Sequence, residues 1–194
     1  MERIYRRAFV IGAGLAAITP RPTHAQARCG ITEPDIEGPY YRPGAPLRSD
    51  LTTPDLEGRR LTVRGLVRGR DCAPLAGALL DVWQADAQGH YDNDGSGAHP
   101  PGSLVLRGRL RTDDRGRYEL RTLLPGHYLD GRTYRPAHIH VKVAAASHEA
   151  LTTQLYFAGD PYNEGDRWFR PSRLLRPEPE RGELAAPFDF TLGG

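Results

Sequence analysis

The run Ala137-His138-Ile139-His140-Val141-Lys142-Val143-Ala144 decides the reading of this chain. Side chains on a strand alternate between two faces with period 2. Ile139, Val141 and Val143 therefore form an apolar row, while His138, His140 and Lys142 point the other way. One face suits a sheet core, and the other sets two imidazoles side by side. Neutral imidazole is a ligand for iron, zinc and copper, so the pair is half of a metal site. Taken alone it is equally a hydrogen-bonded or solvent-facing pair, and any completing ligands must come from elsewhere.

Outward from that run, short strand-like segments succeed one another: Arg60 to Arg68, Gly77 to Gln84, Ser103 to Thr112, Gly116 to Thr122, Leu151 to Phe157 and Pro187 to Leu192. Turn residues separate them, with Gly 22 and Pro 17 in the 194-residue chain, and no long stretch of 3.6 period intervenes. This pattern predicts an all-β fold, a β-sandwich with little helix. Residues 30–58, rich in Pro, Gly and Asp, are expected as an extended arm, and residues 172–186 as a short helix or irregular tail. The loops at 85–102 and 124–136 are long for a sandwich, and such loops often carry function.

The N-terminus has the grammar of an export signal. Arg3, Arg6 and Arg7 precede an apolar run from Ala8 to Ile18, and Ala25-Gln26-Ala27 offers a cleavage site. Arg6-Arg7-Ala8-Phe9-Val10 resembles a twin-arginine signal; an ordinary secretory signal with adjacent arginines is the alternative. Residues 1–27 are thus expected as a signal peptide and 28–194 as one domain, periplasmic or secreted, without a stable membrane anchor. Removing the four arginines and one glutamate of residues 1–27 from 26 basic and 24 acidic residues leaves 22 and 23, a net charge of −1. That balance gives no reason to expect a nucleic-acid partner. Cys29 and Cys72 are the only cysteines. An oxidising compartment invites one disulfide between them, two free thiols being the alternative.

Both long loops carry a tyrosine, Tyr91 in Gly89-His90-Tyr91 and Tyr128 in Pro125-Gly126-His127-Tyr128. With Glu37-Gly38-Pro39-Tyr40-Tyr41, Asp81-Val82-Trp83-Gln84-Ala85-Asp86, Arg135-Pro136-Ala137-His138-Ile139-His140 and Gln154-Leu155-Tyr156-Phe157-Ala158-Gly159-Asp160, they form an ordered set. That set resembles the intradiol ring-cleavage dioxygenases, the family of protocatechuate 3,4-dioxygenase and catechol 1,2-dioxygenase, over roughly residues 31–165. The resemblance implies a non-haem Fe(3+) held by Tyr91, Tyr128, His138 and His140. Phenolate is a hard anionic donor that favours the ferric state, and the ion in turn drives ionisation of phenols whose free pKa is about 10. It implies cleavage of a catechol-type substrate by O2 between its hydroxylated carbons, giving a muconate-type diacid. Tyr128 would leave the metal as substrate binds and help to take up a proton. Arg135 would stabilise developing negative charge at the substrate ring, and Gln154 would hydrogen-bond nearby.

Other residues have plainer expectations. His90 and His127 adjoin the two tyrosines and should point away from them; His99 and His148 have no motif support. Trp83, Tyr118 and Tyr156 fit strand packing, and Asp81 and Asp86 fit structural hydrogen-bond acceptors. Tyr40 and Tyr41 either border the pocket or pin the arm. The segment from Tyr128 to His138 is shorter than in protocatechuate enzymes, and Tyr134 stands where they carry a tryptophan, so residues 129–134 are expected to govern substrate choice. No counterpart of the helical N-terminal region of catechol 1,2-dioxygenases is seen. Oligomeric state stays open, a homo-oligomer being one outcome. Two competing readings are a secreted, transthyretin-like binding module without catalysis and a zinc or copper hydrolase built on the histidine pair.

Overall fold

A computed structural model describes residues 28–194, so the expected export signal lies outside the described residues. The strands are β1 (Arg60–Gly69), β2 (Leu79–Gln84), β3 (Arg107–Arg111), β4 (Arg117–Leu123), β5 (Tyr128–Asp130), β6 (Thr133–Arg135), β7 (His138–Ala144), β8 (Leu151–Phe157), β9 (Leu174–Leu175), β10 (Glu178–Glu180), β11 (Glu183–Pro187) and β12 (Phe190–Leu192). One sheet has the order β3-β2-β7-β8-β9; the other is built on β1, flanked by β4 on one side and by β11 and β12 on the other. Among the described residues, helix is limited to one 3-10 turn, Pro171–Arg173. The fold is the all-β sandwich that the spacing of apolar runs predicts.

The two sheets close on a single apolar layer. Leu61, Val63 and Val67 of β1 and Leu120 of β4 meet Leu80 and Val82 of β2, Ile139, Val141 and Val143 of β7 and Leu155 of β8. The alternation read on β7 holds: its apolar row is buried in this core, with Ile139 and Val143 at 0% exposure. His138 and His140 lie on the opposite face beside a second, smaller cluster of Trp83, Ala85, Tyr91 and Tyr128.

Three segments differ from expectation. The strand expected from Ser103 begins only at Arg107, because residues 103–106 curl around the buried Asp92 carboxylate, which accepts from Val105 N at 3.1 Å and from Arg107 Nε at 2.8 Å. Leu106 adopts a positive φ of 50° at that bend. Residues 172–186 are not a tail: after the 3-10 turn, β9 pairs with β8, and β11 pairs parallel to β1 with Leu184 and Ala186 turned into the core. One leucine and one alanine in alternation, Leu184 and Ala186, were too weak a period to predict that strand. The loop at 124–136 contains the β5–β6 hairpin.

The arm is ordered along the outer face of the β7 sheet. Asp35 N donates to Thr152 O at 2.8 Å, Glu37 pairs with Lys142, and Tyr41 Oη donates to Asp81 at 3.1 Å. A Cys29–Cys72 disulfide anchors its start to the turn after β1. Among the described residues, no helix is long and apolar enough to cross a membrane.

Candidate metal centre

Strand register assembles the floor of the site. Across the sheet, His140 lies opposite Trp83 of β2 and Gln154 of β8, and His138 lies opposite Tyr156. Directly paired residues share a face, so all five side chains point away from the core together. Trp83 stacks flat on His140, with centroids 4.7 Å apart and planes 8° apart. His138 Nδ1 donates to the Pro136 carbonyl at 2.6 Å, which leaves Nε2 with its lone pair facing the site. Burial, joined by the nearby Arg135 charge, depresses the His138 pKa to about 4 and also pulls His140 well down, so both rings are neutral near pH 7, the state in which imidazole can bind a metal.

Loops bring the phenols. Tyr91 ends the turn after β2, whose Gly89 has φ +91° and packs so tightly that a Cβ would stand 2.0 Å from the His127 carbonyl oxygen. Only glycine fits there. Tyr91 N donates to Asp94 at 3.0 Å, the ring is 2% exposed, and Tyr40 from the arm stacks on it at 4.2 Å. Tyr128 opens β5, with its ring 5.5 Å from Tyr91 and 5.7 Å from His138. Its hydroxyl accepts from Arg135 Nη1 at 3.2 Å, and Arg135 Nη2 donates to Gln154 Oε1 at 2.9 Å. All six predicted site residues, Tyr91, Tyr128, Arg135, His138, His140 and Gln154, are buried and come together.

These donors suit one ion. His138 Nε2 and His140 Nε2 are 3.1 Å apart, about the separation of two nitrogens sharing an ion at roughly 2.1 Å each. Tyr91 Oη is buried without a hydrogen-bond partner, and such an orphan is rare unless something else satisfies it. Burial raises both phenol pKa values, with Arg135 partly opposing at each. Ionising two such phenols calls for a strong, highly charged cation. Among the described residues, no group of three or more histidine, cysteine or carboxylate side chains could hold a metal, and the oxygen donors Tyr91 and Tyr128 have rings that adjoin the imidazole pair.

The other histidines among the described residues face elsewhere: His90 Nδ1 lies 3.3 Å from Asp94, His127 Nε2 2.7 Å from Asp160, His99 Nε2 3.0 Å from Asp86, and His148 Nδ1 2.9 Å from Ala146 O. Asp86 accepts from Gln88 N and His90 N, as a structural acceptor should. Tyr118 is ordinary packing, its hydroxyl on Phe188 O. Tyr156 is buried as expected, yet on the site face, where its hydroxyl donates to Asp35 at 2.8 Å and lies 3.1 Å from Gln154 Oε1. Its i, i+2 relation to Gln154 was the available signal. Tyr40 does border the site. Gly38, whose Cβ would lie 3.3 Å from His140 Cε1, was marked only as part of the Glu37–Tyr41 motif, and Asp166 and Trp168, which both meet Arg135, had no signal in the sequence.

The family model described as "Dioxygenase" matches residues 36–173. The chain is similar to a chlorocatechol 1,2-dioxygenase of Pseudomonas sp. (strain P51), 33% identical over 87% of this chain and 72% of that protein. Its fold is similar to the dioxygenase domain of a dioxygenase carbohydrate-binding protein fusion from Streptomyces sp. SirexAA-E (TM-score 0.75, 41% identity, 84% of this chain and 99% of that one). It is also similar to 3-chlorocatechol 1,2-dioxygenase from Rhodococcus opacus 1CP (TM-score 0.77, 35% identity, 84% and 72%). The chain is a member of the intradiol ring-cleavage dioxygenase family.

Proposed function

We propose that this enzyme cleaves a catechol with O2 between its two hydroxylated carbons, using ferric iron held by Tyr91, Tyr128, His138 and His140. The observation that carries the assignment is the convergence of the facing Nε2 pair with a buried, unpartnered Tyr91 hydroxyl. Ferric iron bound there would supply the electron-accepting Lewis acid that makes a catechol dianion reactive toward O2.

The chain's own residues divide the remaining work. Tyr91 is sealed beneath Tyr40 and stays put. Tyr128 is the more exposed phenol, 8% against 2%, and sits at the start of a two-stranded hairpin. It is therefore the phenol suited to move aside and accept a substrate proton at Oη. Arg135 Nη1 already donates to that oxygen and places a fixed positive charge where negative charge develops. Gln154, anchored by Nε2 on Ile36 O at 2.9 Å, presents its carbonyl to Arg135. Trp83 and Tyr40 exclude water from the imidazole and phenol faces. Residues 129–134, which edge the site, are assigned to substrate choice. The Cys29–Cys72 bridge fits an oxidising compartment, which supports placement outside the cytoplasm.

Iron-loaded protein is expected to be coloured by tyrosinate-to-iron charge transfer, with the band altered in Tyr91→Phe and in Tyr128→Phe. Oxygen uptake should follow addition of at least one member of a panel of catechol, chlorocatechol, hydroxyquinol and protocatechuate. Colourless protein with zinc by elemental analysis would overturn the ferric assignment. Coloured protein that consumes no oxygen with any of the panel would return the binding-module reading.

A further inference from the structure

Arg135 is itself held by a segment that the catalytic assignment does not use. Residues 158–173 follow β8 with irregular backbone and end in the 3-10 turn. From this segment the Asp166 carboxylate accepts from Arg135 Nε, and the Trp168 ring lies 4.5 Å from the guanidinium carbon. The other two edges of the guanidinium reach Tyr128 Oη at 3.2 Å and Gln154 Oε1 at 2.9 Å. A planar fork engaged at Nε, Nη1 and Nη2 and stacked on one face has one orientation open to it.

Asp166 is in turn fixed by the loop. Its Oδ1 accepts from Trp168 N at 2.8 Å, its carbonyl accepts from Phe169 N at 3.1 Å, and its own N–H donates to Asn163 O at 3.1 Å. Asn163 is tied to the end of β8 through Phe157 O at 2.8 Å. Side-chain exposure is 5% for Arg135 and 3% for Asp166. A buried ion pair is a weak source of stability compared with well-packed apolar groups, and its better-attested use is to fix a geometry.

We infer that Asp166 is a positioning residue for ring cleavage, holding Arg135 by Nε so that Nη1 is aimed at the Tyr128 oxygen. Through that hydrogen bond it sets the electron density on the phenolate. The inference rests on the assignment of Tyr128 as an iron ligand. Loss of the donor leaves the phenolate more electron-rich, so light moves an electron from it to the metal at lower energy.

The test uses the full chain loaded with iron and compares Asp166→Ala, Asp166→Asn and Asp166→Glu by visible absorption and by steady-state oxygen uptake with the best catechol. Asp166→Ala is expected to move the charge-transfer band to longer wavelength and to lower kcat by ~10- to 100-fold, with KM changed by less than about threefold. Asp166→Asn should fall between, and Asp166→Glu should restore band and kcat toward wild type. A purely structural role would lower thermal stability and leave the band of the folded protein in place. A folded Asp166→Ala with wild-type band and kcat overturns the inference; should that variant not fold, the same result with Asp166→Asn does so. Colourless wild-type protein instead overturns the underlying iron assignment, so the two failures are distinguishable.

Discussion

Replacing both Cys29 and Cys72 with serine should destabilise the fold without disturbing the proposed metal centre. The bridge closes a loop with a sequence separation of 43. In the chain-entropy account, a loop of that size lowers the entropy of the unfolded chain enough to stabilise the fold by about 4 kcal/mol at 25 °C. With a urea m-value of about 2 kcal/mol/M, the unfolding midpoint should fall by about 2 M. The folded variant should nevertheless keep its site, because the arm is held independently beyond the bridge. Thr32 N donates to Thr191 O at 3.0 Å, Asp35 N to Thr152 O at 2.8 Å, and Gln154 Nε2 to Ile36 O at 2.9 Å, while Asp35 pairs with the buried Arg173. Urea titration of the metal-free proteins reads the first quantity, and the visible band of the iron-loaded proteins reads the second. An unchanged midpoint, or a variant that folds but loses its band, would refute the separation of staple from site.

Gly38→Ala should lower both stability and metal retention. Gly38 has φ +73°, and a Cβ there would lie 3.3 Å from His140 Cε1; a left-handed non-glycine residue costs roughly 1–2 kcal/mol before any clash. The thermal midpoint and the iron content after dialysis check this, and wild-type values in both would refute it. The metal-free protein should lose stability in mild acid through His138, whose folded pKa is depressed from 6.5 to about 4. The fold accepts the neutral ring, so this contribution is complete above about pH 6.5 and is lost as pH falls through 4, to an extent of about 3 kcal/mol. His138→Gln should show a correspondingly shallower loss of urea midpoint between pH 7 and 4; a parallel loss would assign acid sensitivity to the carboxylates instead. Ile139→Ala, on the other face of β7 at 0% exposure, should cost about 2–5 kcal/mol while leaving the charge-transfer band in place.

The floor of the site was legible because strand alternation is local. Once residues 137–144 are read as a strand, His138 and His140 must share the face opposite Ile139, and register carries the same logic to Gln154 and Tyr156. The tyrosines were legible only through the resemblance. Nothing local in Gly89-His90-Tyr91 says where that ring goes; its place depends on Gly89 packing against the His127 carbonyl, a contact between two distant loops. Asp166, Trp168 and Asp35 were illegible for the same reason. Each reaches the site from an irregular segment whose path is set by tertiary hydrogen bonds, and irregular backbone has no period to read.

The segment from Tyr128 to Arg135 shows how a departure in sequence becomes geometry. Its shortness was read as a change at the pocket edge, and the structure gives it a second consequence. Two three-residue strands joined by Gly131-Arg132 place Tyr128 directly opposite Arg135 and Leu129 opposite Tyr134. Gly131 has φ +64° and Arg132 does not share the positive φ, the pattern of a two-residue type II′ hairpin with glycine at its first central position. In so tight a hairpin, one inserted residue would shift register and turn either the phenol or the guanidinium to the outer face, where Leu129 and Tyr134 now stand 54% and 47% exposed. The same eight residues therefore fix the 3.2 Å contact between Arg135 and Tyr128 and leave only the hairpin tip free to vary. The segment proposed to govern substrate choice, residues 129–134, can therefore vary at its tip without moving the pair that the proposed chemistry needs.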